Sequence, residues 1–174
     1  MIRKLIYTFT FGAATCGVAL MLAPRSAQAD RHHDHCEIVD GQLAEDLGGA
    51  ANCPPDHPGC FIGEIHGRGL HATTQFFGDG AGTPPANSPD FIPYTGITSY
   101  TTHHGSFTTR ESGHFSTVDI VDAPEDGDGA SFSIEIITSG TGEFANATGY
   151  LYVTGFINPE SHVTSSVTGK ICTP

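Results

Sequence analysis

Residues 139–150 read Ser-Gly-Thr-Gly-Glu-Phe-Ala-Asn-Ala-Thr-Gly-Tyr; SFSIEIIT (131–138) precedes them and they run into GYLYVTGFI (149–157). In the first flank Phe132, Ile134 and Ile136 alternate with Ser133, Glu135 and Ile137, and the second flank keeps the same period of two. Successive side chains of a strand point to opposite faces, so the alternation predicts two strands. Gly140 and Gly142 permit a tight turn between them, while Ala147 and Gly149 permit close backbone contact. The local unit is strand, turn, strand.

The same grammar extends outward. CFIGEIHGRGLHATTQFF (60–77) reads as one long Gly-interrupted strand ended by Gly78-Asp79-Gly80. GTPPANSPDFIP (82–93) is too rich in proline to hold a ladder. ITSYTTHHGSFTTRESGHFSTVDIV (97–121) predicts a hairpin turning at His104-Gly105 and then another strand, which puts Arg110, Glu111 and His114 around a second turn. APEDGDGAS (123–131) is a polar turn, and HVTSSVTGKIC (162–172) is a last strand. Past residue 60 no ten-residue run has helical spacing. The class is all-β, and this alternation fits a barrel and a sandwich equally.

The GTGxFxxAxG pattern at Gly140, Gly142, Phe144, Ala147 and Gly149 resembles the allene oxide cyclase and dirigent barrel superfamily, most closely its small exported bacterial members, which end in a strand like Gly169-Lys170-Ile171-Cys172. The likeness covers roughly residues 60–174. It implies a closed antiparallel barrel of about eight strands around an apolar cavity. In such a barrel Phe144 would plug one end. The family's enzymes use carboxylates or an Arg inside the barrel, but no position outside the motif aligns well enough to carry a catalytic residue over. In a barrel with an even strand count the last strand returns beside the first. With Cys60 opening the first strand and Cys172 closing the last, the implied disulfides are Cys60–Cys172 and Cys36–Cys53; the rival is a local Cys53–Cys60 bridge.

The beginning of the chain reads as an address. Arg3 and Lys4 precede an apolar stretch from Leu5 to Leu22, and Ala27-Gln28-Ala29 supplies the small residues of a cleavage site, so residues 1–29 are expected to be a signal peptide rather than an anchor. Residues 30–59, rich in His, Asp and Pro, are expected to form an irregular arm tethered by cysteines, with at most a helical turn at Gln42–Leu47, ahead of a barrel domain at 60–174. Four cysteines remain after cleavage, an even number that suits an oxidising compartment, periplasmic or secreted. Their spacings match no zinc finger or ribbon.

Charge limits the function classes. The chain carries 7 Lys and Arg against 19 Asp and Glu, a formal charge of −12. Removing Arg3, Lys4 and Arg25 leaves 7 − 3 = 4 cations, hence 4 − 19 = −15. Such an acidic protein lacks the basic stripe that nucleic acid requires and should not dock on an anionic membrane. No Ser-His-Asp signature, phosphate loop or zincin helix is present.

Glu64, His66 and Arg68 share one face of the expected first strand and form an acid, base and cation row suited either to a lumen or to a solvated wall; His71 falls on the other face. Asp122, Glu125, Asp126 and Asp128 crowd one loop without EF-hand spacing. No cofactor is expected. A free amine at Asp30, followed by Arg31 and His32, would offer Cu(II) or Ni(II) a square-planar nitrogen set, an adventitious site that depends on the cut. The leading functional expectation is a barrel that binds a small apolar or aromatic ligand. Alternatives are an isomerase or cyclase, or an envelope protein without pocket chemistry. The lumen discriminates among them: buried Glu or Arg favours the enzyme, an open apolar cavity favours binding, and a filled interior favours structure.

Overall fold

A computed structural model describes residues 35–57, 59–116, 129–158 and 160–174. Eight antiparallel strands close into one barrel, each paired with the next in sequence and the last with the first. They are β1 (His35–Leu47), β2 (Phe61–Arg68), β3 (Leu70–Ala81), β4 (Phe91–Thr102), β5 (Gly105–Ser116), β6 (Gly129–Gly140), β7 (Thr148–Ile157) and β8 (His162–Thr173). A one-turn helix, α1 (Gly49–Asn52), follows β1, and a 3-10 turn at Gly142–Phe144 joins β6 to β7. Closure leaves no strand edge unpaired, and eight strands leave an interior wide enough for one small ligand. The expected all-β closed barrel is the architecture.

Its starting point differs from the expectation. The barrel begins at His35, not Cys60. Val39, Gly41, Leu43 and Glu45 face inward along β1 while Asp40, Gln42 and Ala44 are exposed. Only one side of this strand needs to be apolar, and its polar outer set hides the strand among the His- and Asp-rich residues around it. Gln42–Leu47 therefore forms no helical turn. The irregular segment is the shorter link from Gly48 to Cys60.

That shift re-pairs the cysteines. The expected Cys60–Cys172 and Cys36–Cys53 bridges do not form; the disulfides are Cys36–Cys172 and Cys53–Cys60. The last strand does return beside the first, but the first strand is β1. Cys36 lies directly opposite Cys172 at the seam, with Cα atoms 4.0 Å apart. Cys53–Cys60 spans the proline-rich link, Cα to Cα 5.5 Å.

Two further boundaries move. The stretch 60–77 is a hairpin rather than one strand: Gly67 pairs with Leu70 around a turn at Arg68-Gly69, where Gly69 takes φ +74°. This reversal puts His66 and His71 opposite each other on one face, not on opposite faces. In β5 no second turn interrupts residues 105–116, so Arg110, Glu111 and His114 are mid-strand. Phe91, Ile92 and Pro93, assigned to the proline-rich loop from the sequence, pair with Phe115 and its neighbours at the start of β4.

One end of the barrel is filled. Val39, Tyr100, Phe107, Leu151, Val167 and Ile171 pack there as the apolar core. Tyr100 stacks on Phe107 at 4.6 Å between ring centroids, and Phe107 meets Phe144 at 5.1 Å. Phe144 thus caps the floor from the β6–β7 turn, as the motif implied.

Candidate functional site

Above that floor the lumen-facing positions become small or polar, and a cavity of about 790 Å³ opens toward the other end. Gly63, Gly96, Gly113 and Gly155 occupy inward positions that larger residues would fill. The rings of Phe76 and Tyr94 lie over Gly96 and Gly113, where a Cβ would collide with them. Phe61, Phe76, Ile92, Phe115, Ile157 and Val163 line the mouth, with His57 at the rim stacked on Phe77 at 4.2 Å.

Three carboxyls project into this space: Glu45 from β1, Glu111 from β5 and Glu135 from β6, at 6, 6 and 2% exposure. On β6 the inward set is Ser133, Glu135 and Ile137, while Phe132, Ile134 and Ile136 are exposed on the outer wall. Register sets this choice. Glu135 pairs with Glu111 on one side and Leu151 on the other, so its parity is that of the lumen. Cross-strand partners lie about 5 Å apart at Cβ, which makes Glu111 and Glu135 a carboxyl pair.

Neutral hydroxyls hold all three acids. Thr74 donates to Glu45 (2.6 Å), Tyr94 and Thr98 donate to the two oxygens of Glu111 (2.7 and 3.1 Å), and Tyr100 and Thr109 donate to Glu135 (2.9 and 2.6 Å). Burial pushes the Glu45 carboxyl up to about 7, opposed by the Thr74 hydrogen bond and aided by the charge of Glu111. Burial, followed by the charge of Glu111, pushes Glu135 up to about 8. The Tyr94 and Tyr100 hydroxyls are raised well above their ordinary range by burial and by these carboxylates. Near neutral pH the lumen therefore holds protons that exposed carboxyls would have lost. Ser165, also lining the cavity and 2% exposed, has a hydroxyl with no hydrogen-bond partner among the described residues.

The sequence candidates lie elsewhere. Glu64, His66 and Arg68 are exposed on the outer wall. His66 bonds Glu64 at 2.9 Å and meets His71 with Nδ1 atoms 3.2 Å apart, but none of them lines the lumen cavity. The row shares a face, as read, and that face is the solvated one. Among the described residues no three His, Cys, Asp or Glu are close enough to hold a metal ion. Asp30, Arg31 and His32, the acidic loop from Asp122 to Asp128 and the signal segment lie outside the described residues.

Glu45, Glu111 and Glu135 were not among the candidates. A signal existed for two of them: Glu45 repeats the parity of Val39 and Leu43, and Glu135 that of Ile137. Glu111 has none, because the Gly and polar residues around it interrupt the apolar alternation of β5. The two disulfides suit an oxidising, extracellular-type environment, and among the described residues no helix is long and apolar enough to cross a membrane. Comparison of the chain with protein-family models, with curated proteins and with solved structures gives no match.

Proposed function

We propose that this barrel binds one small, largely apolar molecule in its lumen. The carrying observation is the cavity itself: about 790 Å³, floored by packed aromatics, apolar at the mouth and polar at a few fixed points. Ligand sites generally have this size and this mixture of apolar wall and convergent polar groups. Closure into eight antiparallel strands, with the Gly-Thr-Gly turn at the β6–β7 junction, supports the likeness to the allene oxide cyclase and dirigent barrels. The apolar N-terminal segment with Ala27-Gln28-Ala29 and the two disulfides support an exported protein, periplasmic or secreted.

The Glu111–Glu135 pair favours a second reading, acid–base isomerisation of a small intermediate. Against it, both carboxyls are already engaged by hydroxyl donors. Among the described residues no Lys, Arg or His stands in the lumen beside them to stabilise a developing negative charge. Fixed groups of this kind orient a ligand.

The test is a panel of naphthyl probes, neutral and charged, read by their own fluorescence, since the chain has no Trp. Saturable binding of one molecule per barrel is expected, lost when Ser131→Trp blocks the mouth without lowering Tm. No saturable binding by any probe, or undiminished binding by the blocked variant, would overturn the proposal.

A further inference from the structure

Among the described residues the lumen gathers acidic groups and no Lys or Arg. Glu45, Glu111 and Glu135 are each more than nine-tenths buried, and their described partners are uncharged hydroxyls. The described cations point away. Arg68, Arg110 and Lys170 sit at outward strand positions, Arg110 bonded to Asp79 at the rim. Buried carboxyls are normally paired with a cation or a metal ion. Here no described Lys or Arg pairs them from the wall, while the space to admit a partner is present.

We infer that the ligand is a small organic cation, an apolar or aromatic amine whose ammonium group sits among Glu45, Glu111 and Glu135 while its apolar part fills the mouth. This inference rests on the binding reading above and adds the ligand's charge. Ser165 supplies an independent observation. Its buried hydroxyl lines the same cavity and lacks a partner among the described residues, so its oxygen is free to accept from an N–H. The groups facing the ammonium site are then three carboxyls and a hydroxyl oxygen, all acceptors of the ligand's protons. The wall suits the rest of the molecule: Phe76 and Tyr94 present rings 6.1 Å apart at 72° along the route in, and aromatic faces attract cations as well as apolar groups. Among the described residues no three acids are close enough to coordinate a bare metal ion. The cation is therefore held by the N–H bonds it can reach and by the field of the remaining acid, rather than by direct contact with all three at once. The net charge of −12 adds a long-range field that draws cations toward the protein.

Protons compete for the same seat. Glu45 and Glu135 hold theirs to about pH 7 and 8, so an amine arriving at neutral pH must expel them. The other titratable groups facing the site are Glu111 and the hydroxyls of Tyr94 and Tyr100, with His57 and the Arg110-paired Asp79 at the rim. Affinity for the amine should therefore climb between pH 6 and about 8.5.

The experiment uses three ligands of one shape, 1-naphthylmethylamine, 1-naphthalenemethanol and 1-naphthoate, on the full mature chain at pH 8. The amine should bind roughly tenfold to a hundredfold more tightly than the alcohol, the range for a charge-assisted bond to a buried partner, and the carboxylate least of all. Glu45→Gln and Glu135→Gln, each verified by circular dichroism, should shrink the amine's advantage over the alcohol several-fold. Calorimetry of the unmodified protein at pH 7, in two buffers of different ionisation enthalpy, needs no variant to fold. It should show protons released by the amine and none by the alcohol. Equal or tighter binding of the alcohol, a preference that survives both substitutions, or amine binding without proton release would overturn the inference while leaving the binding reading intact. Failure of all three ligands would remove the binding reading itself.

Discussion

At Glu135 the sequence shows a charged residue inside a run of Phe and Ile, and the structure shows why it is tolerated. Tyr100 and Thr109 satisfy its oxygens, and burial keeps its proton on to about pH 8. The folded state thus holds a proton that the unfolded chain gives up near pH 4.5, so the stabilising contribution is complete in acid and is lost as pH rises through 8. Glu135→Gln removes the titration and keeps the shape. The variant is expected to be more stable than the unmodified protein at pH 9 and slightly less stable at pH 5, where the carboxyl is already neutral. Denaturant unfolding at both pH values checks this, and parallel curves at the two pH values would count against it. Gly142 offers a second residue-scale test. It takes φ +59°, and a Cβ there would run into the carbonyl oxygen of His104. Gly142→Ala should lower stability by about 2 kcal/mol or more, measured the same way.

At the scale of elements, the strands were legible and their ends were not. Alternation at β6, β7 and β8 reads directly from sequence because each has side chains of contrasting size on its two faces. β1 escaped because its outer residues resemble a disordered acidic arm, and its inner ones, Val39, Gly41, Leu43 and Glu45, include a glycine and an acid. The β2–β3 turn escaped because one glycine, Gly69, among several in the run makes it, and nothing local distinguishes that glycine from Gly63 or Gly67. Which face of β6 looks inward is decided by pairing with β5 and β7, information no single strand contains. The candidate site was hidden for the same reason: its three acids are adjacent only after closure. The disulfides follow from the elements they join. Cys36–Cys172 closes a loop of 136 residues at the β1–β8 seam and should contribute about 5 kcal/mol in the chain-entropy model, against about 2 for Cys53–Cys60 with its separation of 7. Cys36→Ser with Cys172→Ser should therefore lower Tm considerably more than Cys53→Ser with Cys60→Ser. The reverse order would show that the link, rather than the seam, secures the barrel.

For the molecule as a whole, buried acids and net charge act in the same direction. Raising pH from 5 to 9 removes native-state protons from Glu45 and Glu135, worth on the order of 3 kcal/mol for Glu45 alone, while self-repulsion among the surface acids grows. Tm is expected to fall steadily over that range and to recover on addition of a lumen-binding amine. A Tm that is flat or rising above pH 6 would contradict the protonated state assigned to the lumen. The aromatic floor has a different consequence. With Phe107 and Phe144 stopping one end, the lumen is a well rather than a tunnel, and whatever enters must leave by the same doorway. A guest that fills this well bars the way to the next. Exchange must then be dissociative: the departure rate of a bound probe, followed by stopped-flow, should be independent of how much competitor waits outside. A displacement rate that climbs with competitor would mean a second exit exists.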